Sequence, residues 1–343
     1  MSPTHPAEHE SLVSVHNLHK IFDISGGLLD QLTWKEKRLV RQKTLVKAIN
    51  NVSFSIRPGE TVSVVGESGC GKSTLGRTVI GLHHPNRGEV YYAGTRVDTL
   101  SPKQMLPYRR RMQMVFQDPY ASLNPRKRVV QILEEPLRFH FPHLSSSQAR
   151  ERLEEVMLQV GGDPLWLSRL PHEFSGGQRQ RIGIARALVI DPEFIVADEP
   201  ISALDVSIQA QILNLMLDAQ EQRGLTYLFI AHDLSVVEHI STRVAVMYLG
   251  TICESTDTAN LFSNPRHPYT QALLSAIPRL GHKREGHVKL KGEVPTPINL
   301  PPGCVFHGRC RFCRDICRRE FPELITLADG RQVACHGVQQ GWV

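Results

Sequence analysis

One glycine-rich segment combines residue types and a spacing that suit the binding of phosphate groups. Residues 66–73 read Gly66-Glu67-Ser68-Gly69-Cys70-Gly71-Lys72-Ser73. Glycines let backbone N–H groups curl around an anion, and the helix that follows presents its positive N-terminal end to the same anion. Lys72 can reach the β- and γ-phosphates of a nucleotide, and Ser73 supplies a hydroxyl for Mg²⁺. We expect Thr74 to add a further phosphate contact.

Two adjacent carboxylates follow an apolar run further along the chain. The run 194–197 leads directly into Asp198 and Glu199. Open α/β sheets bind ligands beyond the carboxyl ends of their strands, so both side chains would project into a ligand site. We expect Asp198 to orient Mg²⁺ there.

The elements that must position these groups alternate between strand and helix patterns. Strands are expected at 61–65, 194–197, 227–230 and 244–247, with helices at 178–188 and 207–223 between them. Such alternation predicts an α/β fold with a largely parallel sheet, interrupted by helical periodicity from about 101 to 172. Within that stretch, Ser145 and Gln148 have the spacing of a capping box. The polar segment 25–43 is predicted to be a loop.

Composition narrows the class of protein. The chain has 343 residues, a net charge of +6 and 41% hydrophobic residues, and it lacks an apolar run long enough to span a membrane. Residues 1–16 have no apolar core typical of a secretory signal. These features predict a cytosolic chain unless a partner holds it at a membrane. The basic charge is spread out, which favours an ordinary surface over a dedicated nucleic-acid or lipid site.

The seven cysteines are unevenly distributed. Five of them lie in the last forty residues: Cys304, Cys310, Cys313, Cys317 and Cys335. In a cytosolic chain such a cluster suggests a metal before it suggests disulfides. Four thiolates suit either an iron–sulfur cluster or Zn²⁺, and unligated thiols are the remaining alternative.

A short run between the two phosphate-site motifs carries a family resemblance. It reads Phe174-Ser175-Gly176-Gly177-Gln178. Together with the motifs above it resembles the signature of the ATP-binding subunits of ABC transporters. The resemblance implies a RecA-like P-loop ATPase core with an antiparallel β subdomain, a helical subdomain and a small C-terminal cysteine-bearing appendage. It also implies that residues 175–178 and Asp205 complete an ATP site that belongs to a partner subunit.

The same resemblance assigns roles at the nucleotide site. It implies that Glu199 is the general base for the attacking water, and that Gln117 senses Mg²⁺ and water beside Ser73 and Asp198. His232 matches the family's switch histidine, which contacts the γ-phosphate. An aromatic residue stacks on adenine in this family, and Phe22 is the candidate here, with packing into the core as the alternative.

Two further segments resemble one branch of that family. They are 264–274 (Asn-Pro-Arg-His-Pro-Tyr-Thr-Gln-Ala-Leu-Leu) and 122–126 (Ser-Leu-Asn-Pro-Arg). Both are similar to segments of the dipeptide, oligopeptide and nickel importer ATPases, and the chain most resembles the second ATPase subunit of the peptide importers. This implies an ATPase domain at 12–261, with a helical subdomain at about 118–178, and a C-terminal region at 262–343.

The resemblance also implies partners and a cofactor. The expected partners are a second ATPase subunit, two permeases and a periplasmic or lipid-anchored binding protein, which would place the chain at the cytoplasmic face of the inner membrane. Similar C-terminal tails carry a [4Fe–4S] cluster, which implies Cys304, Cys310, Cys317 and Cys335 as its ligands. Two alternatives stay open for function: the same motor with another solute such as nickel, or a soluble ABC ATPase acting on nucleic acid.

Overall fold

The computed structural model describes residues 11–25, 32–35, 38–41, 43–277, 292 and 295–343. Parts of the predicted insertion at 25–43 and all of residues 1–10 lie outside these residues. No helix in the described ranges is both long enough and apolar enough to cross a membrane.

Fourteen strands occur in the described chain. They are β1 (Val13–Asp23), β2 (Leu32–Lys35), β3 (Arg38–Arg41), β4 (Leu45–Ile56), β5 (Thr61–Val65), β6 (Arg87–Tyr92), β7 (Thr95–Arg96), β8 (Met112–Val115), β9 (Phe194–Asp198), β10 (Thr226–Ala231), β11 (Arg243–Tyr248), β12 (Thr251–Asp257), β13 (Ile325–Thr326) and β14 (Gln332–Val333).

Twelve α-helices connect the strands in the same part of the chain. They are α1 (Lys72–Val79), α2 (Pro102–Arg111), α3 (Pro119–Ser122), α4 (Val129–His140), α5 (Ser146–Gln159), α6 (Gly176–Leu188), α7 (Val206–Arg223), α8 (Leu234–Ile240), α9 (Thr258–Ser263), α10 (Pro268–Ser275), α11 (Asp315–Arg319) and α12 (His336–Gln339). Two short 3₁₀ turns, Pro164–Ser168 and Pro171–Glu173, precede α6.

The chain divides into two compact units. The first contains residues 11–12, Ile56–Ser63 and Thr99–Ala231. The second contains the described parts of Val13–Ser55, Val64–Asp98 and His232–Val343. Strand β5 is divided between them after Ser63.

The first unit contains the predicted parallel strands. Strand β9 pairs in parallel with β10 on one side and with β8 on the other. Every residue of β9 and β10 is buried, as expected for strands covered on both faces. The α/β prediction is therefore confirmed for this part of the chain.

Helices α3 to α6 form the predicted helical insertion. Helix α5 begins with the predicted capping box: the Ser145 hydroxyl accepts from the Gln148 N–H at 3.2 Å, and the Gln148 side chain accepts from the Ser145 N–H at 2.9 Å. Its apolar face, which includes Leu153, Val156 and Met157, is at most 2% exposed. Helix α6 contacts α3, α4 and α5, so this face belongs to a shared helical core.

The second unit contains a four-stranded sheet, a second group of paired strands and a hairpin. Strands β4, β1, β6 and β7 form one sheet, in which β1–β6 and β6–β7 are antiparallel. Strands β13, β14, β12 and β11 follow one another in that order, and their pairings with one another are antiparallel. The prediction of a loop at 25–43 is wrong in part, because β2 and β3 pair as a hairpin. Thr33, Trp34 and Val40 are residue types that favour strands.

A buried ion pair anchors the C-terminal region to β12. Arg331 donates to the Glu254 carboxylate at 2.9 Å, and their side chains are 2% and 0% exposed. The same carboxylate accepts the backbone N–H groups of Arg266 and His267, each at 2.9 Å. Arg331 also donates to the carbonyl of Asn264. One carboxylate thus joins strand β12 to the segment that enters α10 and to the chain before β14.

His267 is a buried residue at the start of α10. Its ring Nδ1 accepts the Tyr269 N–H at 3.0 Å, which caps the helix. Burial lowers the pKa of His267 to about 3, against a smaller opposite effect from a hydrogen bond to the Ala334 backbone. The charged group facing it is the Glu254 carboxylate, which accepts its backbone N–H. The ring is therefore neutral in the folded chain near pH 7.

This shift predicts a loss of stability in mild acid. With a folded pKa near 3 and an unfolded pKa near 6.5, the unfolded state binds more protons between these values, so stability falls as pH drops. The loss attributable to His267 between pH 7 and pH 5 should be about 2 kcal/mol. His267→Asn keeps a capping acceptor but does not titrate. The free energy of unfolding of this variant, measured in urea, should therefore fall less between pH 7 and pH 5 than that of the wild type. An unchanged pH dependence would contradict the assignment.

Candidate functional site

The phosphate loop follows β5 and leads into α1. Gly66 and Gly71 lie at φ values of 155° and 106°. A Cβ on Gly66 would come within 2.1 Å of the Met247 carbonyl oxygen, and a Cβ on Gly71 within 2.1 Å of the Ala48 carbonyl oxygen. Only glycine fits at both positions, because these neighbours are backbone atoms that cannot turn aside.

Lys72 lies at the first position of α1. It is 4% exposed, and its ammonium donates to the carbonyl of Gly66 at 2.9 Å and to that of Glu67 at 3.2 Å. Ser73 and Thr74 occupy the same first turn. Cys70 is buried, and burial raises the pKa of its thiol. The loop therefore places one cation and two hydroxyl groups at the start of a helix, a combination suited to an anion.

The first unit brings two of the predicted catalytic residues together. The Gln117 Nε2 group donates to the Glu199 carboxylate at 2.9 Å, although 82 residues separate them. Asp198 ends strand β9 and is fully buried. Glu199 follows it at a left-handed φ of 46°, and its N–H donates to the Ile230 carbonyl at 3.0 Å. Non-glycine residues in this conformation are strained, and such strain concentrates at functional sites.

The signature segment opens helix α6 with a capping box that the sequence reasoning missed. The Ser175 hydroxyl accepts the Gln178 N–H at 3.3 Å, and the Gln178 side chain accepts the Ser175 N–H at 3.0 Å. The Ser-x-x-Gln spacing is the sequence signal that could have revealed it. The two side chains fix the first turn, in which Gly176 and Gly177 are the first residues of the helix.

Gly177 packs against α7 more closely than Gly176 does. A Cβ on Gly177 would lie 2.5 Å from Ile208 Cγ2, whereas one on Gly176 would lie an ordinary 3.5 Å from Leu204. Gly177→Ala should therefore destabilise the chain by about 1–3 kcal/mol, as overpacking does. Gly176→Ala is the matched control and should be far milder in urea unfolding. Adding Ile208→Ala should relieve the Gly177→Ala defect; equal stability of the two alanine variants would contradict the packing argument.

Asp205 occupies the residue before α7. It is the N-cap residue of that helix, although its side chain makes no capping hydrogen bond. The preceding loop is tied to the Glu199 carbonyl, which accepts from the Ser202 hydroxyl at 3.1 Å. Gln209 donates to the carbonyls of Ile201 and Leu204, each at 3.1 Å. Asp205, which is predicted to act on a partner's ATP site, thus lies at the end of the loop that begins at Glu199.

His232 and Phe22 belong to the second unit, together with the phosphate loop. His232 comes directly after β10, and its side chain is exposed. Phe22 lies near the end of β1 and is half-buried, edge-on to the His83 ring at 5.4 Å between centroids. The Lys20 ammonium lies 4.9 Å from the centre of the Phe22 ring. Phe22 is therefore only partly buried, and its stacking on adenine stays a prediction.

The prediction of an iron–sulfur or zinc site is wrong. Cys304, Cys310, Cys317 and Cys335 line one cavity, but its volume is only about 20 Å³, room for about one water molecule. Within the described residues, no group of three or more cysteine, histidine or acidic side chains is arranged to hold a metal ion. Burial raises the pKa of Cys304 to about 12 and that of Cys310 to about 11. Cys313 is not among the residues that line this cavity.

Comparison with known proteins identifies the family of this chain. Residues 49–202 match the ABC transporter family, and residues 253–317 match the oligopeptide/dipeptide transporter C-terminal region. The chain is 50% identical over 334 residues to the oligopeptide transport ATP-binding protein AppF of Bacillus subtilis, covering 96% of this chain and 98% of AppF. The chain belongs to the family of ATP-binding subunits of oligopeptide and dipeptide ABC transporters. It is an ABC-type transport ATPase, which uses ATP and Mg²⁺.

Further similarities agree with this assignment. The dipeptide transport ATP-binding protein DppF of Escherichia coli is 52% identical over 306 residues, covering 89% of this chain and 91% of DppF. The dimeric structure of MJ0796, a bacterial ABC transporter cassette, is similar with a TM-score of 0.62 and 29% identity, covering 72% of this chain and 98% of that one. The predicted P-loop ATPase fold is confirmed, and the alternative of an ATPase acting on nucleic acid is set aside by the family.

Proposed function

We propose that this ABC ATPase powers the import of dipeptides or oligopeptides across a membrane. The observation that carries the proposal is the 50% identity to AppF along 96% of the chain, C-terminal region included. AppF is an oligopeptide transport protein and DppF a dipeptide transport protein by name. The ATPase motifs recur in transporters of every cargo, so the C-terminal match at residues 253–317 is the part that favours peptides.

We propose a division of labour among the motif residues at the ATP site. We assign the phosphates of ATP to 66–74, with Lys72 as the cation that offsets their charge. Ser73, Gln117 and Asp198 would hold Mg²⁺, and their donors suit it because they are a hydroxyl, an amide and a carboxylate, which offer hard oxygen ligands. The Gln117 bond to Glu199 uses its N–H group, which leaves its carbonyl oxygen for a cation.

Hydrolysis needs a base for the attacking water, and Glu199 is the proposed base. Its carboxylate is oriented by the Gln117 N–H, and its backbone is fixed by the bond to Ile230. An oriented carboxylate can take a proton from water as the water attacks phosphorus. His232 would contact the γ-phosphate, and Phe22 would stack on adenine.

We propose that a second ATPase subunit completes each ATP site. Residues 175–178 and Asp205 would act on ATP bound to a partner ATPase, with the N–H groups at the start of α6 directed at its γ-phosphate. The similar MJ0796 cassette is described as dimeric. ATP would then hold the two ATPases together, and hydrolysis would release them.

The remaining partners follow from the transporter assignment. We propose 12–261 as the ATPase domain, its helical segment at about 118–178 as the receiver of two permeases, and 262–343 as the C-terminal region. A periplasmic or lipid-anchored binding protein would supply the peptide. This assembly would hold the chain at the cytoplasmic face of the inner membrane.

Peptide uptake by the source organism tests the proposal. Deleting the gene should abolish uptake of labelled di- or oligopeptides, and the wild-type gene should restore it. A gene encoding Lys72→Ala is the matched control, because the protein should assemble but fail to use ATP. Normal peptide uptake in the deletion strain would contradict the proposal, and loss of nickel uptake alone would favour the alternative cargo.

A further inference from the structure

The side chain of Glu67, inside the phosphate loop, is held by an arginine from the C-terminal region. Arg309 donates to both carboxylate oxygens, with Nη1–Oε2 at 2.6 Å and Nη2–Oε1 at 3.1 Å. The Arg309 side chain is 8% exposed and that of Glu67 25%. The hydrogen bond to Glu67 raises the pKa of Arg309, so the guanidinium stays charged. Bidentate pairs of this kind fix geometry as well as adding energy.

The backbone of Glu67 is held by the same region. Its N–H donates to the hydroxyl of Tyr269 at 2.9 Å. Tyr269 is fully buried and packs against Tyr248 and Phe306, with ring centroids 4.7 Å and 5.4 Å away. Three aromatic rings therefore make a rigid support behind one residue of a glycine-rich loop.

Glu67 also contacts Lys72, the cation of the proposed ATP site. The carbonyl of Glu67 accepts from the Lys72 ammonium at 3.2 Å, as the carbonyl of Gly66 does at 2.9 Å. Gly66, Gly69 and Gly71 surround this position with positive φ values. A chain so rich in glycine has many accessible conformations when it is not restrained, and ordering it costs free energy.

We propose that the C-terminal region is a clamp on the phosphate loop, with Arg309 as a positioning residue for ATP binding. Arg309 and Tyr269 restrain Glu67 on two sides, which keeps the loop and Lys72 in the phosphate-binding arrangement. Arg309 also neutralises the Glu67 carboxylate, which would otherwise repel the nucleotide. The clamp deepens the ATP site described under Proposed function and depends on that assignment.

Equilibrium binding of MgATP to the full-length chain tests the clamp. Arg309→Ala should weaken binding by about 10-fold, because a charge-assisted bidentate contact no longer restrains the loop. In steady-state assays the same variant should raise KM, while kcat at saturating ATP changes little. Arg311→Ala is the matched control: it removes the same charge from the same region, where Arg311 packs over Phe312 at 4.6 Å, and it should bind as the wild type does.

A double variant separates the clamp from a direct charge effect. In a Glu67→Ala background, Arg309→Ala should change MgATP affinity by less than about twofold, because its partner is already absent. An equal loss in both backgrounds would show that Arg309 acts on the nucleotide by its own charge, and would overturn the proposal. Arg309→Lys keeps the charge without the bidentate geometry, so it should restore part of the affinity.

Milder variants keep the test decisive if Arg309→Ala does not fold. Tyr269→Phe retains the ring and removes the acceptor for the Glu67 N–H, so hydrogen exchange at that amide should accelerate and MgATP binding should weaken. Unchanged exchange and unchanged affinity in Tyr269→Phe and Arg309→Lys would overturn the clamp. Failure of the wild-type chain to bind MgATP would contradict the proposed ATP site instead, so the two failures are distinguishable.

Discussion

Glu199→Gln should reduce ATP hydrolysis by about 10²- to 10⁴-fold, the range that a positioned general base contributes. The amide that replaces the carboxylate has the same shape but cannot accept a proton from water. Its oxygen can still accept from Gln117 Nε2, as the carboxylate does at 2.9 Å, so the local structure should persist. Binding of MgATP should therefore survive the loss of turnover.

Two measurements separate the binding of MgATP from its hydrolysis. Phosphate release by the full-length chain should nearly cease, while size-exclusion chromatography in MgATP should show a dimer that the wild type forms only transiently. Glu155→Gln is the matched control, because it makes the same chemical change on helix α5 of the same unit. Turnover within a fewfold of wild type, or loss of MgATP binding, would remove Glu199 from the role of base.

Local patterns in the sequence predicted several elements of the fold. The capping box at Ser145 and Gln148, the buried run at 194–197 and the helix at 207–223 all depend on neighbours within a few residues. Such patterns determine a helix start or a buried strand before any long-range contact forms. The motif glycines were predictable for the same reason, because Gly66 and Gly71 adopt backbone conformations that only glycine takes without strain.

Contacts between distant residues could not be predicted in this way. Arg309 and Glu67 are 242 residues apart, and nothing in either local pattern identifies the other. Gln117 and Glu199 were each assigned by resemblance, but their hydrogen bond appears only when β8 and β9 pair beside one another. Chain topology, not residue type, decides which of the many charged side chains meet.

The cysteines illustrate the limit of spacing as evidence. Cysteines in one segment can converge, and Cys304 and Cys335 do line the same cavity. Whether they could hold a metal depends on the distances and directions of their thiols, which spacing does not specify. The thiols are packed with aromatic and apolar side chains such as Phe306 and Trp342, which explains their raised pKa values through burial.

The largest stability effect is expected at the buried ion pair of Glu254 and Arg331. Arg331→Met should destabilise the fold by about 3–5 kcal/mol, because it leaves a buried carboxylate without its cation. Glu254→Leu should cost at least as much, since it also leaves the N–H groups of Arg266 and His267 without an acceptor. Urea unfolding of the full-length chain measures both.

Comparison with an exposed ion pair tests whether the large loss of stability at Glu254 and Arg331 comes from the burial of their charges. Arg150 and Glu154 form an exposed pair on α5, with side chains 53% and 41% exposed, and Arg150→Ala should cost less than about 1 kcal/mol. Glu254→Gln combined with Arg331→Met removes both charges but retains one acceptor, so it should be less destabilised than Arg331→Met alone. Equal costs for the buried and exposed variants would contradict the anchoring role.

Because Glu254 accepts the N–H of His267, two residues before Tyr269, loss of the anchor should also loosen the Tyr269 contact and weaken MgATP binding.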